Sequence, residues 1–179
     1  QADRLVELAS GVELFHTPGE SDSEGYARIR GDEKEEIHHE NWAIGSKHFK
    51  RWLGREYYRE YRKAPGAQAL QDALNVLAGK AFFDGPEHPV AVRIAGRGEA
   101  IYVDLGDPGW RAVEITRSGW RIVTDPPVRF IRPRGMLPQP EPVKGGSIAE
   151  LREFVNVTDK EWPLLLGWLV AAVRPTGPY

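Results

Sequence analysis

The sequence contains no cysteine, which removes disulfide scaffolds, thiolate metal sites and cysteine nucleophiles together and is compatible with an intracellular setting. It also lacks a long apolar run. The longest, "WPLLLGWLVAAV" at 162–173, falls short of the roughly 18–20 residues that a membrane span requires. The opening "QADRLVELAS" has neither the basic start nor the apolar stretch of a signal peptide. These absences lead to the expectation of a soluble, cytoplasmic protein with no membrane partner.

Catalytic signatures are missing too. There is no G-x-x-x-x-G-K-[ST] loop for nucleotide phosphates, and "GRGEAI" departs from G-x-G-x-x-G at its last position. No G-x-S-x-G nucleophile elbow occurs. None of the five histidines stands in H-x-H or H-E-x-x-H spacing, and the adjacent His38 and His39 would point to opposite faces of a strand. The acidic run Asp32, Glu33, Glu35 and Glu36 resembles a Mg²⁺ site only in composition, since a Gly- and Lys-bearing turn gives it no fixed geometry. No catalytic residue, metal or cofactor is therefore expected in this stretch of chain.

What the chain does have is length enough for a core: 179 residues, 41% of them hydrophobic. Its net charge of −2 conceals an uneven layout. Residues 1–46 carry four Lys/Arg against eleven Asp/Glu, residues 47–63 seven against two, and residues 93–134 eight against five. There are thus two basic zones behind an acidic opening.

Periodicity sets the expected order of elements. "ADRLVELASG" has the spacing of a short helix ended by Gly11, and "VELFHTP", "GYARIR" and "EEIHHENWAI" read as the strands of a small first sheet. Ser46 is placed to cap a helix whose apolar face is Phe49, Trp52, Leu53, Tyr57 and Tyr61. After "APG" at 64–66, a second helix built on Leu70, Leu74, Leu77 and Phe82 completes an αα unit. From 90 to 131 the period changes to two, and five segments with short turns predict an antiparallel meander. Capping boxes at Ser147/Glu150 and Thr158/Glu161 predict a C-terminal helical pair, its second member apolar almost all round. The expected class is α+β, with a domain over 1–132, a Pro/Gly linker over 133–146 and a helical segment over 147–179.

The candidate interface lies in "SKHFKRWLGREYYREYRK", residues 46–63, where Lys47, Arg51, Arg55, Arg59 and Lys63 recur at every fourth position. Such a ridge is also what the wet side of an ordinary amphipathic helix looks like. Three features favour a polyanion, the first being that arginine outnumbers lysine along the ridge and its planar fork suits phosphate and bases. Tyr58 falls outside the apolar stripe, and Trp42 and His48 lie near the helix start, offering rings for stacking. Arg117, Arg121, Arg129, Arg132 and Arg134 supply a second basic set on the meander, where Arg121 and Arg129 would share a face across neighbouring strands.

The segments "WAIGSKHFKRWL", "ALQDALNVLAG", "IYVDLGD", "WRAVEIT", "PPVRFIRPRGMLPQPEPVKGGS" and "RPTGPY" resemble the region that precedes the ATPase motor in primase-helicase proteins of phages and mobile elements. The likeness runs from residue 8 to residue 179 and rests on ordered words, not on a catalytic signature. It implies a helicase-associated accessory module for DNA replication, with a P-loop ATPase domain following "PTGPY" in cis, and it makes the apolar last helix half of an interface with that domain. ATP and Mg²⁺ then belong to the downstream domain alone, and the expected partner is single-stranded or forked DNA. Two other readings stand beside this one. One is a protein-interaction or oligomerisation domain whose basic ridge meets the acidic opening of a neighbouring copy. The other is a metal-dependent nuclease or nucleotidyltransferase using the 32–36 acids with His38 or His39.

Overall fold

A computed structural model describes residues 1–19, 24–31 and 38–176. The protein is α+β. Its chain forms two compact units: residues 1–91 with 129–131, and residues 92–128 with those from 132 on. The meander thus groups by contact with the chain that follows it, whereas composition alone grouped it with the chain that precedes it.

In the first unit, helix α1 (Ala2–Leu8) leads into a three-stranded antiparallel sheet of β1 (Glu13–His16), β2 (Gly25–Arg30) and β3 (His39–Ala43), in that order. Helices α2 (Lys47–Tyr61) and α3 (Ala67–Phe83) follow. The sheet alternates as its pleat requires. Ala27 and Ile29 turn toward the helices and join a core of Leu5, Ile44, Phe49, Leu53, Tyr57, Leu74 and Leu77. Helices α2 and α3 meet along a short stretch, and α1 packs on both.

Phe82 departs from expectation: it is 40% exposed, and Ala73 and Ala81 take buried positions on α3 instead. The stripe Leu70, Leu74, Leu77, Ala81 is the one that 3.6 residues per turn keeps on a single face, and Phe82 stands about 100° away from it. Gly25 of β2 passes close to this face, since a Cβ on it would lie 3.2 Å from the Ala81 Cβ. The β2 end is similarly constrained. A Cβ on Gly31 would lie 2.0 Å from His38 Nε2, and the Gly31 N–H donates to the His38 carbonyl at 3.0 Å.

The meander has four strands, not five. β5 (Ile94–Arg97), β6 (Ala100–Asp104), β7 (Ala112–Thr116) and β8 (Gly119–Val123) pair antiparallel in chain order within the second unit. The two ends of the predicted run go elsewhere: the first segment divides, only its second half joining the meander as β5, and the last segment leaves it altogether. β4 (Val90–Ala91) and β9 (Arg129–Phe130) pair parallel with each other in the first unit. Phe130 is buried there and its carbonyl accepts from Asn41 Nδ2 at 3.0 Å.

The Pro/Gly segment 133–146 holds no regular element, as its composition requires, yet it is pinned to the meander's own unit. Arg93 donates to the Leu137 carbonyl at 3.0 Å, the Gln139 N–H donates to the Leu105 carbonyl at 2.7 Å, and Arg111 pairs with Glu141 at 3.1 Å. The Ser147/Glu150 box forms, but over a 3₁₀ helix, Ile148–Glu153. At the second box, both the N–H and the hydroxyl of Thr158 donate to Glu161, which holds that carboxyl below its usual range. Helix α4 (Trp162–Ala172) starts just after it, with Pro163 in its first turn, where no N–H is missed. No residue of α4 is buried, and Trp168 is 65% exposed. Among the described residues no helix is long and apolar enough to cross a membrane.

Candidate nucleic-acid interface

Strand β3 runs into α2 through a short turn that buries Ile44. The Ser46 hydroxyl accepts from the Phe49 N–H at 3.2 Å and starts the helix at Lys47. This connection brings the first turn of α2 back over the end of β3. Trp42 and His48 consequently stack, with ring centroids 4.2 Å apart and planes within 9°. The Trp42 indole N–H donates to Glu40 Oε2 at 2.6 Å, so the ring is fixed on its edge as well as on a face.

Beside this stack lies a cleft of about 300 Å³. Trp42, His48, Arg51, Trp52 and Arg55 line it from β3 and α2, and Glu40 and the Arg30 end of β2 complete it. Two members of the basic ridge thus share a concave site with the ring that the sequence singled out. His48 matters more than its position near the helix start suggested, since it covers one face of Trp42. Glu40 and Arg30 were not among the expected interface residues. The strand alternation that places Glu40 on the same face as Trp42 is the signal that could have found the first of them.

The remaining ridge residues do not line the cleft. Lys47 and Arg59 are exposed on α2, and Arg59 and Arg55 both pair with Glu56, at 3.2 and 3.1 Å. Exposed pairs of this kind are worth about 0–1 kcal/mol, so a phosphate can displace them. Lys63 is exposed but does not lie on the helix. Arg62 adopts φ +53°, its N–H bonds to the Tyr58 carbonyl at 2.9 Å, and the helix ends there. Tyr58 is 54% exposed and does not line the cleft.

The second basic set is not a shared face. Arg121 lies on β8 of the meander, whereas Arg129 lies on β9, which pairs with β4, so the two are not on neighbouring strands. Arg129 is mostly buried, donates to Glu13 at 2.8 Å and sits over the Phe15 ring at 5.9 Å. Arg121 is exposed and pairs with Glu114, whose carboxyl is held below its usual range first by Arg121 and then by the Tyr102 hydroxyl. Arg121, Trp120 and Lys144 line a second, wider cleft of about 900 Å³ in that unit.

Among the described residues no three His, Cys, Asp or Glu side chains stand close enough to hold a metal ion. Asp32, Glu33, Glu35 and Glu36 lie outside the described residues. His38 is buried, with Nε2 3.4 Å from Glu40, and His39 begins β3. Compared with protein families, curated proteins and solved structures, the chain matches none of them.

Proposed function

We infer that this chain is a noncatalytic module that binds single-stranded or forked DNA and presents it to an ATPase domain in the replication of a mobile element. The observation that carries the reading is the cleft in which the stacked Trp42 and His48 stand beside Arg51 and Arg55. Positive grooves with aromatic walls hold single strands because every base has a face to stack and every nucleotide a phosphate to neutralise. The ridge extends that grip: four-residue steps on a helix rise about 6 Å each, so Lys47, Arg51, Arg55 and Arg59 offer cations over about 18 Å.

The resemblance to primase-helicase proteins supplies the ATPase, with ATP and Mg²⁺ bound there and not here. The apolar surface of α4 supports a protein contact at that end of the chain, with Leu164, Trp168 and Val170 all exposed. Charge reversal tests the reading. The double variant Arg51→Glu with Arg55→Glu should weaken binding to every single-stranded sequence alike and lower the steepness of the salt dependence, by about 0.7 per lost phosphate contact. Unchanged affinity in fluorescence anisotropy would remove the ridge from the account.

A further inference from the structure

A nonspecific grip on phosphate has no use for a carboxylate, yet Glu40 stands in the same cleft as Arg30, Arg51 and Arg55. An anion there opposes the backbone that the cations attract. It is also held in place. One oxygen accepts from the Trp42 indole N–H at 2.6 Å, and the other lies 3.4 Å from His38 Nε2. Its side chain is about one-quarter exposed, so it still meets the cleft. An ionised carboxyl only accepts, and its two oxygens take about four hydrogen bonds between them, which leaves capacity beyond these two contacts. The cleft, at about 300 Å³, is at the small end of ligand-sized cavities and suits one nucleotide unit, not a tract.

We propose that Glu40 is a base-reading residue: the cleft takes one nucleotide whose amino group donates to Glu40, while Arg51 and Arg55 hold the flanking phosphates. This rests on the single-strand reading above and narrows it. In a single strand the Watson–Crick edge is free, and cytosine offers its N4 amino group there, whereas thymine offers a carbonyl oxygen at the same place. A carboxylate accepts from the first and repels the second. The site therefore prefers amino-bearing bases over thymine or uracil, and Trp42 both stacks and fixes the reading group.

The test is anisotropy of the whole chain with labelled twelve-residue oligodeoxycytidine and oligothymidine, near neutral pH and at one salt concentration. The expected result is binding about fivefold tighter to the cytidine strand. Glu40→Gln keeps an acceptor for Trp42 but adds a donor that thymine can use, so the ratio should fall toward one through weaker binding of the cytidine strand and tighter binding of the thymidine strand. A role limited to positioning Trp42 would instead weaken both strands and leave the ratio unchanged. Should Glu40→Gln melt below the working temperature, Glu40→Asp, which withdraws the carboxylate by one methylene, should also shrink the preference. Equal binding of the two strands, a preference for thymidine, or a preference that persists in Glu40→Gln each overturns the assignment while leaving the single-strand reading intact. Binding of neither strand overturns both.

Discussion

At Asp104 a carboxylate only 1% exposed accepts from Arg132 through both oxygens, at 2.6 and 3.0 Å, and from the Gly106 N–H at 2.9 Å. The Arg132 guanidinium lies over the Trp110 ring at 4.1 Å, and Trp110 itself takes the left-handed φ of +52°. A strained, bulky residue persists only where its surroundings over-determine it, and here the stacked guanidinium and the buried ring do so. Asp104→Asn leaves that guanidinium in a buried place without its charge partner. It should cost the meander's unit about 3–5 kcal/mol, read by urea denaturation. A cost under about 1 kcal/mol would mean that the pair is incidental. At Glu114 the sign of a pH effect can be worked out. Its carboxyl is held low by Arg121 and Tyr102, so the interaction adds stability above the ordinary value of 4.5 and loses it as pH falls through the lower folded value. The melting-temperature gap between the wild type and Glu114→Gln should therefore be wider near neutral pH than near about pH 3, and an equal gap at both would contradict the assigned cause. Asp104 and Arg132 were not legible as partners in the sequence, because they are 28 residues apart and nothing local ties them.

Among the elements, α2 was the most legible. Its cap, apolar face and basic ridge follow from residues three and four apart, which is all that local sequence encodes. Its end was not, because Arg62 holds a backbone conformation that glycine adopts more easily. Arg62→Gly should relieve that strain and raise stability by roughly 0.5–1 kcal/mol, while Ser46→Ala should lower it by about 1 kcal/mol; chemical denaturation reads both. A glycine variant less stable than wild type would show that the Arg62 side chain outweighs its backbone. The meander was legible from period two, but the two ends of the run, at β4 and β9, lie outside it. "VRFIR" has the alternation of a strand, and alternation says nothing about which strand lies beside it. Arg121 and Arg129 were grouped on that account, and the pairing of β9 with β4 separates them. The two capping boxes were also readable, whereas the 3₁₀ form of Ile148–Glu153 was not. Phe154 beyond it is exposed, so no packing selects a longer α-helix.

For the whole molecule, the α+β class and the order of elements follow from pattern, and the grouping into two units does not, since it depends on where two-residue strands such as β4 and β9 find partners. The candidate interface was half legible. The ridge was read from spacing, but the cleft needs β3 and α2 to fold back on each other, and only then do Glu40 and His48 join Trp42 and Arg51. The central claim is that this arrangement grips a phosphate backbone. The most direct measurement is anisotropy of the chain with a labelled single-stranded oligonucleotide over a salt series. The account predicts that log affinity falls linearly with log salt, with a slope of about −2.8 if the four ridge cations on the helix meet phosphates. Absence of binding at low salt, or an affinity indifferent to salt, would contradict it and leave the ridge as the wet face of an amphipathic helix.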